Sequence, residues 1–450
     1  MAEPAGQARG WTLFFVAWAI VAAFTRTSAT SSHEWSRLGT IDSIVQRGSY
    51  ELETSRFHGT TDKIFFNGHY YSHQPPLLPT LEAPIYWILR QLGLQFWNSA
   101  PFDLAYYLFT ILTNGAAFAF TVVLFDRVLG LAGIRWRWRV AAALLLPFGT
   151  WLFPYALVTN NHGMSAMALA WVTYLLLVIS LRGATLARAS LLGLSLGLIS
   201  AIEVVPLVSF VPLACVFVAT RSDMHGPRSL LAFTLGLLTP LAAHAVLNLP
   251  LTGDLLPGGF HTELFNYPGS RFTPDTLTGQ FNHPSIGAFL DYGWRALVSE
   301  KGYFTYAPVL LIGLVGAFLG LRRWGEARGA YRVLLWGSTV SLVVSLLMTN
   351  NLGGVAVGFR HSVFICPALL ALLAPVFADS SAASRAAKTI AHVVAGISVV
   401  ALLVFAVPQP WSQLRIPPDV TSVSWRQYVP VIAYVRDRLN GTVDEFGKPR

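Results

Sequence analysis

Charge is what this sequence has least of. Asp, Glu, Lys and Arg together make up 12% of its 450 residues, where soluble domains carry about a quarter. With 54% of residues hydrophobic and a mean hydropathy of +0.53, the shortage argues against an ordinary soluble domain and predicts a polytopic membrane protein. Cysteine is nearly missing too. Cys215 and Cys366 each sit inside an apolar run, so they read as small core residues and not as a disulfide or a metal pair. Neither GxxxxGK[ST] nor GxGxxG after a strand pattern occurs, which removes the glycine-rich cradles for cytosolic nucleotides. No internal repeat or low-complexity tract is visible, and a single membrane domain is expected. The net charge of +9 is spread over short loops between apolar runs, so nucleic acid is not an expected partner.

A membrane-crossing helix takes about 20 mostly apolar residues. Such runs fall at 11–28, 104–125, 140–158, 163–181, 186–203, 205–220, 229–249, 304–321, 333–349, 361–378 and 389–407. The first also has the form of a cleavable signal peptide; in either case the residues after it lie outside. Numbering the loops alternately puts Arg9, then Arg127, Arg135, Arg137 and Arg139, then Arg182 and Arg188 on one side. Arg221 and Arg228, then Arg322, Arg323, Arg328 and Arg332, then Arg385 and Lys388 fall on that side too. This is the positive-inside pattern, and it predicts eleven spans with the N-terminus inside and the C-terminus outside. Glu203 and Pro206 divide the run 186–220 into two short spans. The outer side receives loop 29–103, the turn Thr159–Gly163 (TNNHG), loop 250–303, Asn350, Asn351, the stretch Gly353–His361 (GGVAVGFRH) and the tail. The expected organisation is a membrane domain over 1–407 and an outer tail over 408–450.

The first outer loop is polar where the rest is apolar. Between Ser31 and Pro79 it holds Glu34, Asp42, Glu51, Glu53 and Asp62, with Arg37, Arg47, Arg56 and Lys63. It also holds His33, His58, His69 and His73. Leu38, Ile41 and Val45 recur at helical spacing, which predicts an interfacial helix over Arg37–Arg47. A second is expected over Thr80–Leu92, with Tyr86 and Trp87 as interfacial aromatics, and a third over Ser424–Leu439, stopped by Asn440-Gly441. Asn67-Gly68 between aromatic flanks predicts a hairpin turn, and Pro75-Pro76 a rigid exit just after His73. Glu34 has two readings: a carboxylate at a surface cleft, or the closing residue of a capping box begun at Ser31. Asp42 reads mainly as a solvated acid on a helix. His73 is a ligand or phosphate contact, or a hydrogen-bonded structural residue, and His162 is a site residue or a polar cap. A charge deep in a membrane costs at least ~2.5–3.5 kcal/mol, so Glu203 must be paired, near the outer edge, or functional. Arg360 stands on the side where bases are unexpected, either to meet a phosphate or to snorkel.

These motifs resemble the polytopic GT-C glycosyltransferases, and within them the bacterial family of the lipid A aminoarabinose transferase and the protein O-mannosyltransferases. Glu34, Gly48 and His73-Gln74-Pro75-Pro76 follow that family's spacing of an acid, a glycine and a Lys-Pro-Pro motif. Ser36-Arg37-Leu38, Gly68-His69-Tyr70-Tyr71-Ser72-His73-Gln74-Pro75 and Gly353–Pro367 resemble a further bacterial group of the same family. The chain departs from the pattern at His33, where relatives have Asp, at His73-Gln74, where they have Glu-Lys, and at His162, where they place an acid.

The resemblance implies an all-α, GT-C-like membrane fold of about 11 spans and inverting transfer of a hexose or pentose from a polyprenyl-phosphate carrier. The acceptor would be a lipid, glycan or protein on the outer face of a bacterial inner membrane. Glu34, otherwise Asp42, would take the acceptor proton. Arg37, Arg56, Lys63, Tyr70, Tyr71, Gln74, Glu203 and Arg360 would contact substrate. A divalent metal (Zn, Mn or Mg) would sit on Glu34, His73 and His162, or be absent with Arg and His neutralising the phosphate. A lipid-linked-sugar flippase and an inactive scaffold of the same fold are the rival readings; polar residues gathered at one surface without repeats speak against the transporter.

Overall fold

The structure, a computed structural model, describes residues 4–98, 100–273, 277, 281, 283–299, 301–320, 325–350, 352, 356–377, 385–408, 410 and 424–449. Among these, an apolar helix stands at each of the eleven expected runs. Leu104–Leu131, His162–Arg182, Pro227–Thr252 and Gly325–Leu347 are long and apolar enough to cross a membrane; the other seven are shorter.

Proline explains where helices break. The run expected over 140–158 is split into Trp136–Leu145, a 3-10 turn Pro147–Gly149 and Leu152–Ala156. The run over 361–378 becomes a 3-10 segment Arg360–Ile365 followed by Cys366–Ala371 and Ala374–Phe377. Pro147, Pro154, Pro367 and Pro375 each remove a backbone donor there. Helix Leu186–Ile202 ends at Glu203, whose extended backbone separates it from helix Val205–Ala219.

Glycine decides the tightest helix contact. Helix Leu186–Ile202 crosses Pro227–Thr252 so closely that a Cβ at Gly193 would lie 2.1 Å from the Phe233 carbonyl oxygen, and one at Gly197 2.2 Å from that of Leu237. The spacing Gly193-x-x-x-Gly197 is the small-residue stripe by which helices approach in lipid.

The first loop packs on itself and not only on a membrane surface. Helix α1 (Pro4–Phe24) leads into it, and α2 spans Ser32–Arg47. The expected interfacial helix therefore starts five residues early, because the Ser31 hydroxyl caps it and Glu34 closes the box. It is also more buried than an interfacial helix would be. Leu38 and Ile41 join Phe57, Tyr86, Phe96, Tyr106 and Phe109 in a separate small core, where Tyr86 and Phe96 stack at 3.8 Å. Strands β1 (Lys63–Phe66) and β2 (His69–Ser72) form the expected antiparallel hairpin. Asn67 and Gly68 both take positive φ, +48° and +87°, as a type I′ turn requires. Ser36 of α2 fastens it, through the Asp62 carbonyl and the Ser72 hydroxyl, at 2.5 and 2.6 Å. Helix α3 (Leu77–Gln91) leaves Leu81, Trp87 and Ile88 exposed, the outward face expected of a helix at the interface.

In the tail, the helix expected over Ser424–Leu439 is split into Trp425–Tyr428 and Pro430–Leu439, since Pro430 disfavours helical backbone at Val429. The second piece stacks Tyr434 on Phe102 at 3.7 Å. Asn351 and Gly353–Val355 of the expected outer stretch lie outside the described residues.

Candidate functional site

The turn Thr159–Gly163 is built almost wholly from side chain–backbone bonds. Asn160 Oδ1 accepts the backbone N–H of His162 (2.8 Å) and of Gly163 (3.2 Å), while its Nδ2 donates to the carbonyls of Tyr155 and Val158. Asn114, in a π-helical turn Ile111–Gly115, donates to the Asn160 carbonyl at 3.0 Å. π-turns of this kind recur at functional sites. Asn160, not His162, thus caps helix His162–Arg182, and the imidazole is left for other work.

Four elements converge on that turn. From α2, His33 and Arg37 lie one turn apart on one face; His33 Nε2 is 3.3 Å and Arg37 Nη2 3.4 Å from Asn161 Oδ1. From the hairpin exit, Gln74 Nε2 donates to His33 Nδ1 at 3.0 Å and lies 2.9 Å from His73 Nε2. From the helix break, Glu203 Oε1 accepts from Asn161 Nδ2 and from His162 Nδ1, the latter at 2.9 Å. The rings of His33 and His162 are parallel, 6.4 Å apart. Arg360 and His361 arrive from the start of the 3-10 segment. All of these but Arg37 line a cavity of about 180 Å³, completed by Pro75, Ile202, Val205, Pro257, Phe260, Met348, Ser345 and Thr349.

Several polar atoms here are buried without a partner: Nε and Nη1 of Arg37, Nε2 of His162 and Nε2 of His361. Arg360 lines the cavity and makes no hydrogen bond or ion pair through its side chain to any described residue. Buried polar atoms are nearly always satisfied, so donors left open beside a cavity mark a place for an anionic or hydroxyl-bearing ligand. Burial, then the charges of Arg360 and Arg37, hold His33 well below the ordinary imidazole range. Burial lowers His73 as well, against the pull of Asp62. With His33 and His73 held towards the neutral form, Arg360 in the lining and Arg37 behind Asn161 outweigh the one lining carboxylate, Glu203, a positive balance.

The expected site residues separate into two groups. Gln74, Glu203, Arg360, His73 and His162 line the cavity, and Arg37 stands behind Asn161. The others are elsewhere. Glu34 is fully buried and is not among the lining residues. Its Oε2 accepts from Thr30, Ser31 and the Ser31 hydroxyl, and its Oε1 from Tyr106. Burial raises it, and those bonds oppose the rise. Asp42 is buried among Gln46, Ser55 and Tyr86. Arg56 bonds Gln95 at 2.9 Å and covers Trp97; Lys63 bonds the His58 carbonyl and covers Tyr70; Tyr71 belongs to the hairpin core.

The expected metal set is corrected by the same geometry. Glu34, His73 and His162 do not bring ligand atoms together, because the cap consumes Glu34. Among the described residues the one cluster with metal-like spacing is Glu51, Glu53 and His69, half exposed at the hairpin. Asn161 and His361 enter the site without having been singled out individually. Their signal was available in TNNHG and GFRH: polar side chains at the mouths of apolar runs, next to His162 and Arg360.

No protein-family model matches the chain, and no curated protein matches its sequence. Its fold, however, is similar to that of ArnT from Cupriavidus metallidurans bound to undecaprenyl phosphate. The TM-score is 0.50 at 13% identity over 91% of this chain and 65% of that one. The Archaeoglobus fulgidus oligosaccharyltransferase in complex with Zn and sulfate gives 0.50 at 14% identity, over 89% of this chain and 53% of that one. The chain thus spans just under two thirds of ArnT's length. At such identities the likeness concerns architecture, and with the apolar helices it identifies the chain as a multi-pass membrane protein of the GT-C fold.

Proposed function

We propose that this protein is an inverting glycosyltransferase. It moves a sugar from a polyprenyl-phosphate carrier to a lipid, glycan or protein acceptor on the outer face of a bacterial inner membrane. One observation carries the reading: a cavity in a GT-C fold where Arg360 has no counter-ion among the described residues and buried Arg37 keeps two open N–H groups. Departure of the carrier phosphate raises its negative charge, so fixed cations aimed at it act most strongly in the transition state. Arginine forks suit the phosphate oxygens, and the apolar lining suits a prenyl chain. That ArnT was crystallised with undecaprenyl phosphate agrees with this chemistry.

The cavity residues do not fit the metal expected on Glu34, His73 and His162. Glu34 is bound into its cap, and Gln74 holds both His33 and His73. No step here runs through a metal. The same capped Glu34 is what favours the second reading, an inactive scaffold of this fold.

The test uses purified protein with radiolabelled polyprenyl-phosphate mannose, glucose, arabinose or galactose and crude envelope acceptors. Label in the acceptor, falling about 10–100-fold with Arg360→Ala, supports the transferase. Carrier binding without turnover of any donor would move the protein to the scaffold or flippase.

A further inference from the structure

We propose that the base for the acceptor hydroxyl is His162 Nε2, oriented by Glu203, in place of a first-loop carboxylate; this rests on the transferase reading above. Glu203 Oε1 lies 2.9 Å from His162 Nδ1. A carboxylate accepts only, so the Nδ1 proton is held there and Nε2 carries the lone pair. Nε2 is buried and has no partner, on a side chain that lines the cavity and is 3% exposed. The ring is braced by the Tyr155 ring edge at 5.2 Å and by the Asn160 bonds to its own backbone. Asn161 donates a second hydrogen bond to the same Glu203 oxygen, which fixes the carboxylate. A carboxylate–imidazole pair with an open second nitrogen is the arrangement of a general base. Glu34 does not match it in this geometry, since it is not among the cavity-lining residues and both its oxygens are bonded, Oε2 in the cap and Oε1 to Tyr106.

The step balances without a co-reactant. The acceptor O–H bond breaks and its proton passes to His162 Nε2. The acceptor oxygen forms a bond to the anomeric carbon while the bond from that carbon to the phosphate oxygen breaks. The electron pair leaves with the polyprenyl phosphate, beside Arg360 and Arg37. The imidazolium, paired with Glu203, returns its proton to the departing phosphate or to water. Charged and titratable groups facing His162 are Glu203, His33, Tyr155, Arg37, Arg360 and His361. Glu203, hydrogen-bonded to Nδ1, steadies the proton once it arrives. His162 would touch substrate; Glu203 is a positioning residue.

The experiment measures kcat, KM and carrier binding across pH for wild type, His162→Ala, His162→Asn, Glu203→Gln and Glu203→Asp. The asparagine amide can still donate to Glu203, keeping the helices joined without supplying a base. The glutamine amide can donate to Nδ1 and drive the imidazole proton onto Nε2. The expected result is a loss of about 10²–10⁴-fold in kcat for both His162 variants, with carrier affinity retained and the acid limb of the profile gone. Glu203→Gln should lose roughly 10–100-fold, with Glu203→Asp recovering part of it. His162→Asn turning over like wild type with its acid limb intact would overturn the assignment while leaving the transferase standing. So would a loss confined to carrier binding, or chelator-sensitive turnover with bound metal that His162→Asn fails to retain. A wild type silent with every donor would overturn the transferase reading and the base together.

Discussion

Glu82 shows what burial does to a single side chain in this protein. It is 1% exposed on α3, and neither carboxylate oxygen has a partner. Burial pushes it up to about 7, with the Arg37 charge only partly opposing the rise. A carboxylate whose folded-state value lies above its unfolded one favours folding fully only below the unfolded value, and that contribution is lost as pH rises through the folded value. Glu82→Gln is therefore expected to raise thermal stability at pH 8 and leave it nearly unchanged at pH 4. The gain at high pH is on the order of 3 kcal/mol at most. A melting series in detergent at the two pH values checks this; equal shifts at both would show that Glu82 is not ionising in the window. Arg37 gives a second prediction at this scale. Arg37→Lys keeps the charge but loses the fork, so carrier affinity should fall about 10-fold while Arg56→Lys, remote from the cavity, leaves it unchanged in a binding assay.

At the scale of elements, the GT-C bundle depends on one contact more than hydropathy implies. Gly197 meets the Leu237 carbonyl and Gly236 the Ser190 carbonyl, where a Cβ would lie 2.2 and 2.3 Å away. Gly197→Leu should separate helices Leu186–Ile202 and Pro227–Thr252, shift Glu203 at the end of the first, and abolish a monodisperse profile on size exclusion. Gly396→Ala is the control: its Cβ would meet nothing within 4 Å, and replacing glycine inside a helix gains up to ~1 kcal/mol. A Gly197→Leu variant as stable as Gly396→Ala would show that the helices can move apart without cost. The break at Glu203 matters for the same reason. The carboxylate reaches His162 from a helix terminus, so its position follows the packing of the whole helix.

For the molecule as a whole, the arrangement of basic loops makes a labelling prediction. With Cys215 and Cys366 replaced, a cysteine at His69 or Ser270 should react with an impermeant reagent from outside intact cells. One at Arg182 or Asp223 should react only after permeabilisation. The opposite pattern would place the cavity on the cytoplasmic side and remove the proposed outward transfer. The tail is expected to label with the outer set, since Phe102 N–H donates to the Phe446 carbonyl at 3.0 Å and ties the tail to the first loop.

Much of this was legible in the residues themselves. The positions of the apolar helices, the hairpin at Asn67-Gly68, the capping box at Ser31 and the break at Glu203 follow from local chemistry: solvation of apolar runs, backbone dihedral preference and hydrogen-bond geometry over a few residues. The polytopic helical class followed with them, and the GT-C-like fold from the motifs at Glu34, Gly48 and His73-Gln74-Pro75-Pro76 that resemble that family. The membership of the site followed only in part. Arg56, Lys63, Tyr70 and Tyr71 are as polar or aromatic as Gln74 and belong to the same loop, yet of these five only Gln74 reaches the cavity. Glu34 satisfied both of its readings on paper; three-dimensional packing against Tyr106 decided that its carboxylate would be spent on the cap. The pairing of His162 with Glu203 joins residues 41 apart, through a turn and a helix end that meet only once the bundle is packed. Local sequence sets which backbone shapes are affordable, whereas which side chains share a cavity depends on long-range packing that no short motif encodes.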